Sequence, residues 1–373
     1  MNAIKPKTAV LHERVDVSGA RPNVTPLYQN SSFLSGSDYF YTRKSNPNTA
    51  ELEQVLRKLE GCAHVLTVTT GMTAIHLTLS LLKPGDHLIV SRLIYGCSVK
   101  LFQDFCERYD IALDFADLSD PRSLKALVKS RTRMIFFETP TNPFLKTIDI
   151  AAVAAEVKRR APSALVVVDN TWATPYFQKP LELGADLCVY SATKFHSGHS
   201  DCMGGMISTD RAALADKLRQ LRFYSGAILD PHSAWLLRRS MQTFALRMAE
   251  HQRVVLEMKR FLEARKEVAK VYFPRIDRKQ LRGYGCILFF ELRPRHAWKA
   301  QTFTRSLKLF EAGTSMACVV SSVARPYTGS HLSLTPEEKS GMGIKDSLVR
   351  LCFGFEDIDD LKDDLRRAFQ KIS

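Results

Sequence analysis

The chain has 373 residues, 45% of them hydrophobic, and a formal net charge of +14. That apolar content suits a large buried core and more than one domain, while no stretch reaches the roughly 20 apolar residues of a membrane-crossing helix. The basic residues alternate with acidic ones, as in "ALRMAEHQRVVLEMKRFLEARKEVAK", and the eight cysteines contain no C-x-x-C pair, so neither a nucleic-acid partner, a zinc ribbon nor a disulfide framework is indicated.

Residues 1–45, with "VTPLYQNSSF" and "YFYTRKSNPNT", are polar and weakly periodic and predict an extended arm. From Thr49 the spacing of Leu52, Val55, Leu56 and Leu59 predicts a helix that Gly61 stops. Short apolar runs then follow at "HVLTV", "HLIVS", "RMIFFE", "ALVVVD", "DLCVYS" and "GGMIST", most of them separated by helix-length stretches. Strands buried on both faces and joined by helices predict a mainly parallel sheet. "PHSAWLLRRSMQTFALRMAEHQRVVLEMKRFL" reads as long helical material. "GCILFFEL", "SLVRLCFGF" and a closing amphipathic helix from about Asp357, with Leu361, Leu365 and Phe369 inward, predict a smaller α+β domain. The expected division is an arm over 1–45, a large domain over 46–240 and a small one over 241–373.

In open parallel sheets ligands gather at the carboxyl ends of the strands. "HVLTV" leads into Thr69, Thr70, Gly71 and Met72 at a helix start, and "RMIFFE" into Thr139, Pro140, Thr141 and Asn142. "ALVVV" leads into Asp169, and "DLCVY" into Ser191, Thr193 and Lys194. A helix start beside Gly71, joined by two hydroxyls, is an anion site. Asp169 offers one buried negative charge, and a desolvated Lys194 can form an imine. Phosphate donors, one carboxylate and one lysine are what pyridoxal phosphate requires of a protein. The spacing His196-x-x-His199-x-x-Cys202 leaves a metal reading open, although structural zinc takes four ligands and no further one is near. "GHSDC" lacks the second glycine of a nucleophile elbow.

"PLYQNSSF", "YTRKSNPN", "TTGMTAI", "LIYGCSVKLF", "ETPTNPFLK", "VVVDNTWATPYFQKPLELGAD", "YSATKFHSGHSD" and "LVRLCFGFEDIDDL", in that order, resemble the pyridoxal phosphate enzymes of cysteine and methionine metabolism. These include cystathionine γ-synthase, cystathionine γ- and β-lyase, and methionine γ-lyase. The resemblance implies an α/β protein of the aspartate aminotransferase-like fold type I, with a mainly parallel central sheet flanked by helices. It implies Lys194 as the Schiff-base lysine, Asp169 as partner of the ring nitrogen, Asn142 beside the 3'-oxygen, and Gly71, Met72, Ser191 and Thr193 around the phosphate. Tyr41 and Arg43 match a pair that reaches the phosphate from a neighbouring subunit, which implies at least a dimer and commonly a tetramer. Tyr95 matches a stacking tyrosine that acts as general acid, a task for which a nearby cation is expected to lower its pKa. Arg350 matches the clamp on the substrate carboxylate, and Ser315 a serine beside it.

Within that family the residue before the Ser315 equivalent is Glu in γ-synthases and cystathionine γ-lyases, Tyr in bacterial β-lyases and Val in methionine γ-lyases. Here it is Thr314, nearly isosteric with Val and uncharged. Cys97 stands where methionine γ-lyases carry Cys and most relatives Gly. Both positions lean toward γ-elimination on an uncharged γ-substituted amino acid, such as methionine or a homoserine or halogenated analogue, in a cytoplasmic enzyme with no metal. γ-Replacement and cleavage of cystathionine are the alternatives. Ala317, Cys318, Val320, Arg325, His196, Ser197 and Ser240 depart from the family pattern, by drift or by a remodelled substrate pocket.

Overall fold

The computed structural model describes residues 19–373, Thr314 excepted. Its larger sheet has seven strands, β1 (His64–Val68), β2 (His87–Ser91), β3 (Ala112–Ala116), β4 (Thr132–Glu138), β5 (Leu165–Asp169), β6 (Leu187–Ser191) and β7 (Gly205–Thr209), in the order β1-β7-β6-β5-β4-β2-β3. All pairs are parallel except those of β7, which runs against both neighbours. The apolar runs are therefore strands covered on both faces: Ile135, Phe137, Val166 and Val168 pack to one side, and Met134, Phe136 and Val167 to the other. That alternation is the two-residue period of a strand.

Five main helices flank or follow this sheet: α1 (Pro47–Glu60), α2 (Gly71–Leu79), α3 (Gly96–Arg108), α4 (Ile150–Arg160) and α5 (Ala212–Ser225). The start of α1 is capped by Asn46, whose side chain accepts from the Asn48 amide. Its end is Gly61 at φ +76°, the left-handed backbone that glycine adopts without strain. Leu52 and Leu56 are buried as the spacing predicts, while Val55 and Leu59 are half-buried. The long apolar-basic run after Pro231 is two helices, α6 (Pro231–Met241) and α7 (Phe244–Glu263). Arg247 explains the break: its buried guanidinium bonds the carbonyls of Ser240, Phe195 and His196, tying the corner to the segment after β6.

The second sheet has five strands, β8 (Val268–Tyr272), β9 (Ile287–Leu292), β10 (Glu311–Ala312), β11 (Ser322–Ala324) and β12 (Leu348–Cys352), ordered β10-β11-β12-β9-β8. Against it lies α8 (Ile358–Gln370), burying Leu361, Leu365 and Phe369 as predicted. Its Asp364 is buried too, accepting from the amides of Lys308 and Leu309 at 2.9 Å each. None of the described helices is long and apolar enough to cross a membrane.

Candidate active site

At the carboxyl ends of β4, β5 and β6 a cavity of about 330 Å³ opens between the two sheets. Gly71, Met72, Tyr95, Asn142, Asp169, Ser191, Thr193, Lys194 and Arg350, all singled out by the sequence, line it. Strand ends bring them together: Asp169 closes β5, Ser191 closes β6, and Lys194 follows one turn later, its amide donating to the Ser191 carbonyl at 3.1 Å.

One wall is the start of α2. Thr70 caps it by accepting from the Thr73 amide at 3.0 Å, which leaves the first amides without helical partners. A Cβ on Gly71 would lie 2.8 Å from the Ser191 Cβ, so the absence of a side chain is what lets this helix end meet the strand end. Thr193 is fixed by a reciprocal pair of bonds, hydroxyl to the Gly204 carbonyl at 3.2 Å and Gly204 amide to the hydroxyl at 3.0 Å.

Asp169 accepts from the Thr171 amide at 3.0 Å, and burial lifts its pKa above the ordinary value. Burial, reinforced by the charge of Arg350, holds the Lys194 ammonium below its ordinary pKa. Arg350, on β12, donates to the carbonyls of Ser315 at 2.9 Å and Gly313 at 3.3 Å. Its Nε is buried with no partner among the described residues.

Tyr95 precedes α3, 37% exposed, with its pKa pushed up to about 12. This corrects the expectation of a lowered value: the Arg350 cation does pull downward, but burial and the neighbouring Cys97 outweigh it. Cys97 is exposed and stands outside the cavity wall. Ser315 lines an adjoining cavity of about 610 Å³ that shares Thr70, Thr193 and Met203 with the first. Thr314 lies outside the described residues. Tyr41 and Arg43 are away from this chain's own cavity: Arg43 donates to the Phe223 carbonyl at 2.8 Å and lies over the Phe223 ring.

The two histidines of the open metal spacing go different ways. His196 is buried, stacked on Phe244 and edge-on to Tyr190, with its pKa lowered to about 3 by burial and Arg247. His199 faces the Ser197 carbonyl and the Ser240 hydroxyl. Among the described residues no group of three or more His, Cys, Asp or Glu is placed to hold a metal ion.

Sequence reasoning missed Glu138, Met203, Met316 and Ser330, which also line the cavity. Glu138 carried a usable signal, a carboxylate as the last residue of an apolar run. The others belong to loops with no local pattern.

The profile of the Cys/Met metabolism PLP-dependent enzymes matches residues 7–370. The chain belongs to that family. Its cofactor is pyridoxal 5'-phosphate, and the cavity fits it: an open helix start, two hydroxyls, one lysine, the buried Asp169 carboxyl, and the Asn142 Oδ1, which has no partner among the described residues. A cystathionine β-lyase of Lactococcus lactis subsp. cremoris is 37% identical, the match covering 98% of this chain and 99% of that protein. An L-methionine γ-lyase of Fusobacterium nucleatum subsp. polymorphum is 35% identical over 93% of each. The crystal structure of a cystathionine γ-lyase from Lactobacillus plantarum complexed with L-serine superposes with a TM-score of 0.90 at 33% identity, covering 99% of both chains. That of a cystathionine γ-synthase from Xanthomonas oryzae pv. oryzae, in complex with aminoacrylate and cysteine, gives 0.89 at 35%, covering 94% and 93%. These likenesses establish fold type I for the chain, an α/β protein with a mainly parallel sheet and a second, smaller sheet.

Proposed function

We propose that this enzyme is a lyase eliminating the γ-substituent of an uncharged γ-substituted L-amino acid, such as methionine or a homoserine or halogenated analogue. The observation that carries the reading is the cavity wall. Around Lys194 and Arg350 the side-chain space is bounded by Met72, Ile75, Met203 and Met316, and its carboxylates, Glu138 and Asp169, sit together at adjacent strand ends. Methionines mould to an apolar side chain and offer nothing to a charged one.

Bound in this site, pyridoxal phosphate supplies a carbonyl that condenses with amines and a protonated ring that draws electrons from Cα. The chain's own residues do the rest. Gly71, Met72, Ser191 and Thr193 hold the phosphate, Asn142 holds the 3'-oxygen and Asp169 keeps the ring nitrogen protonated. Arg350 grips the substrate carboxylate through its open edge, with Ser315 beside it. Lys194, depressed toward the neutral amine, would take the proton from Cα, hand it on to the carbonyl carbon of the cofactor and, neutral again, take one from Cβ. Tyr95, still protonated at neutral pH, gives its proton to the departing atom, with Cys97 next to it. Thr314 and Cys97, both uncharged, are the two positions of the sequence that favour an uncharged leaving group in this reading.

Residues 46–240 form the cofactor-binding domain in this reading and 241–373 the small one. Residues 1–45, of which 1–18 lie outside the described residues, are the proposed arm, whose Tyr41 and Arg43 would serve a neighbouring subunit in a homo-oligomer, a tetramer. Its free thiols suit the cytoplasm. A second reading, cleavage of cystathionine, is favoured by Asp201 and Asp230 in the adjoining cavity, where a distal ammonium group would find opposite charge.

The experiment is mass-spectrometric product analysis of cofactor-loaded enzyme given methionine, cystathionine, acylated homoserines and a γ-halo amino acid, each with and without added thiol. A 2-oxo acid released from methionine or the halide without thiol is the expected result. Turnover of cystathionine alone would support the second reading, and product only with thiol would make the enzyme a γ-replacement transferase. The variant Lys194→Ala should lose turnover and the visible absorbance of the lysine-bound cofactor; retained turnover sinks the mechanism.

A further inference from the structure

Glu138 has no place in the chemistry above, yet it is among the most enclosed polar side chains of the cavity. It ends β4 in direct register with Asp169, the end of β5, so two carboxyl groups sit side by side at neighbouring strand ends. It is 8% exposed. Its Oε2 accepts from the backbone amide of Tyr95 at 3.2 Å. Tyr95 is the residue that opens α3, where no side chain of the helix's own start serves as a cap. Glu138 thus supplies from another strand the acceptor that this helix start lacks.

Two buried carboxyl groups in this arrangement do not both carry charge. Thr171, whose amide donates to Asp169 at 3.0 Å, favours the ionised form of that carboxyl. Glu138 receives one backbone amide, and burial together with the Asp169 charge pushes its own pKa well above the carboxylate range. We propose that Glu138 is a positioning residue: a neutral carboxyl that holds the backbone of Tyr95 at the cavity mouth and leaves Asp169 as the single negative charge at the paired strand ends. Neutrality matters because a second charge there would compete with Asp169 for the ring-nitrogen proton. Capping matters because the Tyr95 ring is carried on the peptide that Glu138 anchors. The inference rests on the proposed assignment of Asp169 to the ring nitrogen.

The test has two readouts. Infrared difference spectra of the holoenzyme at neutral pH should contain the carbonyl band of a buried protonated carboxyl that disappears in Glu138→Gln. Glu60→Gln serves as the control, because Glu60 is a buried acid with its pKa raised to about 7. In kinetics, Glu138→Ala should lower kcat about tenfold, the worth of one hydrogen bond, with KM little changed. Glu138→Gln, neutral and still an acceptor, should recover most of that loss, and Glu138→Asp, which is shorter, should not. Loss of no band in Glu138→Gln, or kinetics equal to those of Glu138→Ala, overturns the proposal. Asp169→Asn separates the two readings: unaltered cofactor affinity and absorbance in that variant would refute the Asp169 assignment, whatever Glu138 does.

Discussion

Tyr95 stands at the meeting of two demands, since a general acid must keep its proton until the leaving atom needs it and must then sit within reach. Its pKa of about 12 meets the first demand throughout the physiological range. Lys194 has the opposite task, and its depressed pKa means that the neutral amine forms below the usual lysine range. On these directions kcat should climb with pH as the Lys194 amine, freed by substrate, deprotonates, and no alkaline fall should arise from Tyr95 until pH nears 12. The leaving atom decides how much Tyr95 matters. For methionine, whose thiolate is basic, Tyr95→Phe should lower kcat about a hundredfold. For a γ-halide, which departs without a proton, the loss should be much smaller. Equal losses on both substrates, measured side by side in steady-state assays, would make Tyr95 a stacking ring only. The direction of the Tyr95 shift was not legible in the sequence, because it depends on how deeply the phenol is enclosed and on Cys97 folding back beside it.

At the scale of elements, the strands were legible because a strand covered on both faces leaves a continuous apolar run, and the site was legible because such strands end on chemistry. Asp169, Ser191 and Lys194 were found that way. Glu138 was counted as the tail of its run, and β3, with half-buried positions from Ala112 to Phe115, left no clear signal at all. The break between α6 and α7 was hidden because its cause, Arg247 reaching the Phe195 and His196 carbonyls, is about fifty residues away in sequence. Glu60 is a similar long-range effect. Ending α1, it accepts from the Tyr190 hydroxyl at 2.5 Å and the Ser208 hydroxyl at 3.0 Å, while Oε2 is buried without a partner among the described residues. Asn170, next to Asp169, bonds the same Tyr190 oxygen at 3.1 Å, so the helix end and the cofactor-bearing strand ends share one network. Burial raises the Glu60 pKa to about 7. The folded state therefore binds a proton that the unfolded chain gives up near the ordinary glutamate value, and the associated stability, full below that value, is lost as pH rises through about 7. Denaturation of Glu60→Gln should thus show a growing advantage over the wild type as pH rises, reaching about 3 kcal/mol by about pH 8. A difference that does not change with pH would mean that Glu60 titrates normally.

For the whole molecule the open question is which chain's site the arm completes. Leu34 and Phe40 are 69% and 73% exposed, a poor arrangement for a free monomer. Arg43, though packed on Phe223, is not part of this chain's cavity, whose neighbour, lined by Thr70, Thr193, Ser315, Asp201 and Asp230, has room for side chains from elsewhere. If Arg43 serves a neighbouring subunit, a chain with Lys194→Ala and a chain with Arg43→Ala are each inactive alone but complementary together. In a mixed dimer one site collects both substitutions and the other collects neither. Co-expression of the two variants should therefore restore about a quarter of the wild-type activity, because half the dimers are mixed and each has one intact site of two. If Arg43 served its own chain, every site in every mixture would carry one lesion and no activity would return. The same mixtures, passed over a sizing column, give the size of the assembly in which complementation occurs, so that restored activity in a species no larger than one chain would refute the shared site.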